Sequence, residues 1–304
     1  MISFDPPGSV STSPEAINDH GWITGFYLDG SDNYHSFLRS PSGSITVINI
    51  KGGGCGTVAK DINRKGVVTG NYADRSCISH GFLCTLRGKV TTFDVPESSG
   101  TVGEGINNKG TIVGAYLDKD NNEEHGFIRT ADGTIATFDP KGSTYTVPLK
   151  INNSGEVTGS YEENSVWHGF VRAVDGTITS FDPPGSASTD ANNIDDEGVI
   201  AGEFLEDDAN HGYLRSAEGT FTTVDPPESK ETFALGINKG GVVTGSYVDD
   251  TGQHGFVRAA NGTYKMFDPK RSTATLPEAI NKSGAITGLY ADIDSQEHGF
   301  VRTP

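Results

Sequence analysis

The chain repeats one pattern seven times, and this repeat restricts its fold more than any other feature. Each copy begins at an F-D-P-P motif, continues with T-x-x-x-x-I-N-x-x-G-x-I-x-G-x-Y and ends at H-G-F-x-R. The Asp of F-D, or its substitute, recurs every 43 to 45 residues. A repeat of that length with four short extended segments is typical of a β-propeller blade. The seven positions are Asp5, Asn49, Asp94, Asp139, Asp182, Asp225 and Asp268.

Each copy divides into four predicted strands. In the third copy these are residues 101–107, 111–116, 125–129 and 135–139. Asn and Gly in the N-x-x-G segment tolerate the left-handed backbone of a tight turn between the first two strands. An Asp-Gly pair between the last two favours a hairpin. The sequence therefore predicts an all-β fold, a seven-bladed β-propeller with four-stranded blades.

The two ends of the chain complement each other. Residues 2–5 match a fourth strand without its blade, and residues 298–302 match a third strand with no fourth strand after it. We predict that the N-terminal strand completes the last blade and closes the ring, which removes an open sheet edge. Residues 1–304 then form a single domain, which we expect to be a monomer.

Composition excludes several classes of partner. The net charge of −17 disfavours nucleic acid, because phosphate binding needs clustered Lys and Arg. The sequence contains no run of 18 apolar residues, so it predicts no membrane span. Met1 leads directly into a strand motif, so we expect no signal peptide. The 40 glycines and 34% hydrophobic content agree with many tight turns and thin shared cores.

All three cysteines lie in the second copy. Cys55 and Cys77 are predicted on loops of the same face, where a disulfide could join them. Three free thiols, including Cys84, are the alternative. No C-x-x-C motif is present, which disfavours a thiolate metal site.

The repeated polar residues are predicted to be scaffold. One histidine per blade lies far from the axis, so these histidines cannot share one metal ion. With a two-residue Asp-Gly turn, Gly126 would pair with Asp139, and His125 would bond Asp139. The Arg of each H-G-F-x-R motif is expected to form an exposed pair with a recurring Asp. The histidines are His35, His80, His125, His168, His211, His254 and His298.

The copies disagree most at one position of the first strand, the strand nearest the axis. It reads Glu15, Lys60, Glu104, Leu149, Asn192, Leu235 and Glu278. Glu15, Lys60, Glu104 and Glu278 are therefore candidate catalytic residues, with Glu or Lys as acid or base. The alternative is a set of solvated side chains that fill a wet channel.

Five further residues are candidates for binding. Asp190, Asn192 and Glu203 lie across the channel from the four candidate catalytic residues, and carboxylates with an amide suit Ca²⁺. Tyr145, before the first strand of the fourth copy, and Trp167, in the acidic loop of that copy, are predicted on the same face as the Cys55 loop. There they could stack on a sugar ring or anchor a peptide, or serve packing alone.

The repeat resembles the HAF-type repeat of bacterial, often extracellular, proteins. The resemblance covers the whole chain and is carried by motifs such as Ile106-Asn107 with Gly110, Gly114 and Tyr116, followed by His125-Gly126-Phe127. Ser36 and Asn49 are small departures from the motif. The resemblance implies a secreted or envelope-associated propeller and transfers no catalytic residues.

Three functions are compatible with these observations. The leading hypothesis is a binding propeller that presents an acidic loop face and funnel to a carbohydrate or a protein. The second is a hydrolase or lyase in the funnel, assisted by a divalent cation. The third is a purely structural role, because no nucleophile elbow, phosphate loop or zinc motif is present.

Overall fold

A computed structural model describes residues 1–120 and 123–304. These residues form 28 β-strands and no helix, so none offers a helix that is long and apolar enough to cross a membrane. The strands recur in groups of four, which we name inner, second, third and outer. The all-β prediction is confirmed.

The strands have the following bounds. The inner strands are β2 (Ser9–Ile17), β6 (Gly53–Ile62), β10 (Ser98–Ile106), β14 (Tyr145–Ile151), β18 (Ser188–Ile194), β22 (Glu231–Ile237) and β26 (Ser272–Ile280). The second strands are β3 (Ile23–Asp29), β7 (Val68–Asp74), β11 (Ile112–Asp118), β15 (Val157–Glu163), β19 (Ile200–Glu206), β23 (Val243–Val248) and β27 (Ile286–Asp292). The third strands are β4 (Tyr34–Arg39), β8 (Ser79–Cys84), β12 (Glu124–Arg129), β16 (Val166–Arg172), β20 (Ala209–Arg215), β24 (Gln253–Arg258) and β28 (Glu297–Arg302). The outer strands are β1 (Ile2–Phe4), β5 (Ile45–Ile48), β9 (Val90–Phe93), β13 (Ile135–Phe138), β17 (Ile178–Phe181), β21 (Phe221–Thr223) and β25 (Tyr264–Phe267).

Strand pairing builds four-stranded antiparallel units around a ring. Within the third unit, β10, β11, β12 and β13 pair in that order. Each inner strand contacts the inner strands of the units before and after it, and β26 contacts β2. At the ends of the chain, β1 pairs with β28, with Phe4 opposite Gly299. The N-terminal strand therefore occupies the outer position beside the last third strand.

The turn between third and outer strands differs from the prediction by one residue. Gly126 lies opposite Phe138 and not opposite Asp139. The turn contains one more residue than a two-residue hairpin, because Gly133 adopts a φ of 98° and its N–H bonds the Thr130 carbonyl. A glycine in this left-handed position is usual for the longer bulged hairpin turn.

Apolar cores lie between neighbouring units. One cluster joins Ala16 of the first unit to Phe82 and Val68 of the second. Because each core needs two units, an isolated unit could not bury its apolar surface. The aromatic residue of each H-G-F motif is fully buried in these cores: Phe37, Phe82, Phe127, Phe170, Tyr213, Phe256 and Phe300.

The histidine prediction is confirmed in six units. In these units the His Nδ1 atom lies 2.8 to 3.0 Å from a carboxylate oxygen of the F-D aspartate, as in His298 with Asp5 across the ring closure. In the first unit Asn49 replaces that aspartate. There His35 turns its Nε2 to Asp29, at 2.9 Å.

The prediction for the repeated arginines is wrong. Arg39 is only 6% exposed, and its guanidinium lies 4.7 Å from the ring centroid of Phe4. The arginine therefore packs on the F-D phenylalanine of the preceding unit, which favours a cation–π contact over an exposed ion pair. The same contact recurs at Arg129, Arg172, Arg215 and Arg302.

A disulfide joins Cys55 and Cys77, with their Cα atoms 5.3 Å apart. This decides between the two alternatives left by the sequence. Cys84 is free and buried. It occupies the place of the repeated arginine and packs with Ile48, the residue that replaces the F-D phenylalanine before it.

Candidate functional site

The variable position of the inner strands is a β-bulge in every unit. The pairing of β10 with β11, for example, skips Glu104 between Gly103 and Gly105. A bulge leaves one residue unpaired and re-aims its side chain. The glycine of the I-x-G motif permits this geometry, since a Cβ on Gly114 would lie 2.0 Å from the Val102 carbonyl oxygen. The bulged residues are Glu15, Lys60, Glu104, Leu149, Asn192, Leu235 and Glu278.

Three of the candidate catalytic residues form a charged row. Lys60 Nζ lies 4.0 Å from Glu15 Oε2 and 3.9 Å from Glu104 Oε2. Ser13 donates a hydrogen bond to Glu15 at 2.9 Å. Burial lowers the pKa of Lys60, but the carboxylates around it outweigh that effect and raise its pKa overall. Lys60 is therefore an ammonium held between two carboxyl groups.

A second ion pair lies beside this row. Lys150 Nζ of the fourth unit lies 3.7 Å from Asp61 Oδ1 of the second unit. The pair therefore passes the third unit, where Gly105 occupies the equivalent position. Asp61 also accepts the backbone N–H of Ile106 at 2.9 Å. The sequence analysis missed this pair, although Gly105 gave a signal: it is the small residue that leaves room between the two charges.

Glu278 differs from the other carboxyl groups of the bulge row. Among the residues that the structure describes, it has neither an ion pair within 4 Å nor a hydrogen bond from its side chain. Burial and the nearby Glu15 carboxylate raise the pKa of Glu278 to about 8, against the opposing effect of Lys150 and Lys60. Glu278 is therefore mostly protonated at neutral pH.

Across the channel, the fifth unit holds a pair of carboxyl groups. Asp190 on β18 lies directly opposite Glu203 on β19. The Asn192 side chain donates a hydrogen bond to Glu203. Burial and the Asp190 carboxyl raise the pKa of Glu203 to about 8, whereas Asn192 lowers it. Burial also raises the pKa of Asp190, and its bond with the Ser160 hydroxyl opposes this shift.

Asp190 also lines a cavity of about 370 Å³ between the fourth and fifth units. One part of the lining is the indole of Trp167, and Ser160 adds a hydroxyl group. The remaining residues are Val147 and Leu149. The cavity lining thus includes two of the five predicted binding residues, Trp167 and Asp190, and adds Ser160, which the sequence analysis missed. No other unit combines an aromatic residue, a serine and an aspartate at these positions.

Tyr145 lies outside that lining. It is the first residue of β14, pairs with Glu162 and is 38% exposed. Trp167 was predicted in a loop but lies within β16, opposite Glu162. Of the two aromatic residues, Trp167 lines the cavity and Tyr145 does not.

The described parts of the chain give no support to a metal centre. Within residues 1–120 and 123–304, no three His, Cys, Asp or Glu side chains gather closely enough to hold a metal ion. Of the carboxyl groups considered for calcium, Glu203 accepts a hydrogen bond from Asn192, and Asp190 bonds the Ser160 hydroxyl.

The opposite mouth of the channel is a ring of asparagines. Six of them donate a side-chain hydrogen bond to the main-chain carbonyl of the next unit, as Asn18 does to Asn63 at 3.0 Å. Asp195 interrupts the ring, since a carboxylate cannot donate this bond to Asn238. The donors are Asn18, Asn63, Asn107, Asn152, Asn238 and Asn281.

Comparison with known proteins identifies the fold. No protein-family model matches the chain, and no curated protein sequence matches it. Virginiamycin B lyase from Staphylococcus aureus is similar in structure, with a TM-score of 0.65, 15% identity and 96% of each chain covered. The β-propeller domain of the Trilobed protease from Pyrococcus furiosus gives 0.65 at 10% identity, over 98% of this chain and 94% of that one. The chain folds as a β-propeller.

A streptogramin B lyase structure is also similar, with a TM-score of 0.64 and 15% identity over 100% of this chain and 97% of that one. At these identities the likeness extends to the fold alone. Propellers host many unrelated functions, so the site must be argued from the residues of this chain.

Proposed function

We propose that this propeller binds a carbohydrate in the Trp167 cavity. The observation that carries the proposal is the lining of the cavity, an indole ring beside the Ser160 hydroxyl and the Asp190 carboxyl. Aromatic rings stack on the apolar face of a sugar, and a few placed polar groups fix its hydroxyls. A volume of about 370 Å³ accommodates a small ligand of one or two sugar rings.

The proposal includes one binding site per chain. Residues at the position of Trp167 in the other units are Tyr34, Ser79, Glu124, Asn210, Gln253 and Glu297. Only the first unit has a second aromatic residue there, and Tyr34 packs on Phe26 with ring centroids 5.6 Å apart. A multivalent lectin with seven equivalent sites is therefore not favoured.

A glycan array followed by calorimetry tests this function. We expect binding with a stoichiometry of one, and a loss of about five- to thirtyfold in affinity for Trp167→Ala, since stacking contributes about 1 to 2 kcal/mol. Tyr145→Ala is the matched control, because Tyr145 is an exposed aromatic residue outside the cavity. Absence of glycan binding, or equal losses for both variants, would refute the proposal.

A hydrolase or lyase in the channel is the second candidate. It is favoured by Glu278, a carboxyl without an ion pair whose pKa of about 8 suits proton transfer near neutral pH. Glu15 and Glu104 are less suited to act as bases, since Lys60 lies close to both. The similar lyases support this candidate only through their fold. If Glu278→Gln left a detected lyase or hydrolase activity unchanged, this version would fail.

We also infer seven blades in one domain, with β1 as the outer strand of the last blade. The 28 strands and the pairing of β1 with β28 support this count. A secreted or envelope location is a further proposal, supported by the HAF-type resemblance and the Cys55–Cys77 disulfide, because disulfides persist in oxidising compartments. Recovering the native chain from its cells with free Cys55 and Cys77 thiols would argue against that location.

A further inference from the structure

The carboxyl pair beside the Trp167 cavity has the organisation of an acid–base dyad. Asp190 and Glu203 are direct partners on antiparallel strands, which places their Cβ atoms about 5 Å apart on one face of the sheet. Asp190 lines the cavity, so a ligand stacked on Trp167 would lie against Asp190, with Glu203 next to it on the neighbouring strand. The cavity is thus more than a stacking platform.

The surroundings of the two carboxyl groups are unequal. Glu203 accepts a hydrogen bond from the Asn192 amide, and burial together with the Asp190 carboxyl raises its pKa to about 8, so it holds a proton at neutral pH. Burial raises the pKa of Asp190, and the hydrogen bond with the Ser160 hydroxyl partly offsets this increase. Two carboxyl groups with different proton affinities are the usual means of combining a general acid with a base.

The fifth unit is also specialised to hold Asp190 in place. It carries H-G-Y where the other units carry H-G-F or H-S-F, and the Tyr213 hydroxyl donates a hydrogen bond to the Asp190 carbonyl at 3.1 Å. Ser160 accepts the backbone N–H of the next residue, Ala191, at 3.1 Å. The main chain at Asp190 is therefore fixed by Tyr213 of its own unit and by Ser160 of the fourth unit, as a catalytic group requires.

We propose that the Asp190–Glu203 pair hydrolyses a glycosidic bond of the carbohydrate held on Trp167. This inference rests on the proposed carbohydrate binding and adds a reaction to it. Glycoside hydrolysis generally uses two carboxyl groups on either side of the scissile bond, one as an acid and one as a base or nucleophile.

Glu203, which holds a proton at neutral pH, is assigned as the general acid, and Asp190 is assigned as the base. Glu203 donates its proton to the glycosidic oxygen as the bond between that oxygen and the anomeric carbon breaks. A water molecule adds to the anomeric carbon and gives a proton to the Asp190 carboxylate. The products are two hydroxyl-terminated sugars, and a proton returns from Asp190 to Glu203 through solvent, so one water is consumed and the pair is restored.

The experiment measures cleavage and binding on the same full-length chain. The probes are the glycans that bind on the array and the 4-nitrophenyl glycosides of the same sugars. We expect Glu203→Gln to lose about 100-fold or more in kcat on the glycans. The loss should be much smaller on 4-nitrophenyl glycosides, whose leaving group needs no protonation. Asp190→Asn should lose activity on both, and Glu203→Gln should bind within a few-fold of the unchanged chain.

The pH profile gives an independent measurement. kcat/KM on the glycans should fall as pH rises through about 8, where Glu203 loses its proton, and should fall at acidic pH as Asp190 gains one. The control Glu218→Gln changes an exposed carboxyl in a turn of the same unit and should alter neither rate nor profile.

The outcomes separate the two proposals. Glycan binding without cleavage would overturn the dyad and leave the binding function intact. Cleavage that survives in both Asp190→Asn and Glu203→Gln would also overturn it. Absence of glycan binding would remove the binding function and the dyad together.

Discussion

Among single residues, the Glu278 carboxyl should make stability depend on pH. Its folded pKa of about 8 lies above the ordinary value of 4.5, so the folded state binds the proton more tightly. The resulting stabilisation is present below pH 4.5 and is lost as pH rises towards 8. We expect Glu278→Gln to raise the free energy of unfolding at pH 8 by about 2 to 4 kcal/mol. Urea unfolding at pH 5 and pH 8 measures this, with Glu218→Gln as the exposed control; an equal effect at both pH values would contradict it.

The pairing of Cys84 with Ile48 gives a second prediction for single residues. In five units an arginine lies over the phenylalanine of the preceding unit, whereas at Cys84 both partners are exchanged together. Cys84→Arg alone should destabilise the fold, because the buried guanidinium meets no ring. Adding Ile48→Phe should recover about 1 kcal/mol, measured as the coupling energy of a double-mutant cycle. Ile178→Phe, on a distant outer strand, should show additivity with Cys84→Arg.

The sequence could predict which residues differ but not which of them touch. Disagreement among the copies pointed to Glu15, Lys60 and Glu104, but the ion pairs that join them in the charged row came only from the structure. Ser160 could not be predicted as part of the cavity, because its contact with Asp190 joins a second strand to the inner strand of the next unit. Such contacts depend on the angle between adjacent sheets, which one repeat does not encode.

Among the elements, the ring of asparagine side chains lacks one hydrogen bond, at Asp195, and a single substitution could supply it. Asp195 is 6% exposed, and its Oδ1 accepts the backbone N–H groups of Glu197 and Val199, as each asparagine does in its own unit. The second carboxyl oxygen of Asp195 then occupies the place of the side-chain NH2 group that, in an asparagine, would donate to the Asn238 carbonyl. Burial raises the pKa of Asp195, and Glu197 and Asp196 raise it further.

We therefore expect Asp195→Asn to stabilise the protein by about 1 kcal/mol at neutral pH, by adding the missing hydrogen bond. The advantage should grow as pH rises above the ordinary carboxyl pKa, because the unchanged chain must then ionise a buried acid. Thermal unfolding between pH 4 and pH 8 provides the measurement. Asn238→Asp, which removes an existing bond, should have the opposite sign, and the idea fails if both substitutions act alike.

The four-strand order and the turn glycines could be predicted because they recur in every copy. The bulges and the one-residue shift at Gly133 could not, since an extra residue alters register without altering the hydrophobic pattern on which strand prediction depends. The same limit explains the error over the arginines. The sequence shows that each arginine lies near an aspartate of its own repeat. It does not show that the arginine side chain packs on the phenylalanine of the preceding unit.

For the whole molecule, ring closure was predictable because the two ends of the chain are complementary fragments of one repeat. The structure gives this closure three kinds of contact. β1 pairs with β28, Asp5 bonds both His298 and Thr12, and the buried Phe4 packs on Phe37. The closing strand therefore joins the first and last units through backbone, charge and apolar surface together.

Removal of residues 1–5 should accordingly destabilise the entire ring and not one end of it. We expect a loss of at least about 3 kcal/mol, the usual cost of removing a buried phenylalanine, and self-association through the exposed edge of β28. A synthetic peptide of residues 1–8 added in excess should restore the melting temperature and the monomer peak in size-exclusion chromatography. A peptide with Phe4→Ser and Asp5→Asn should not. A truncated chain that melts like the full-length protein would show that the ring is held by its inner strands alone.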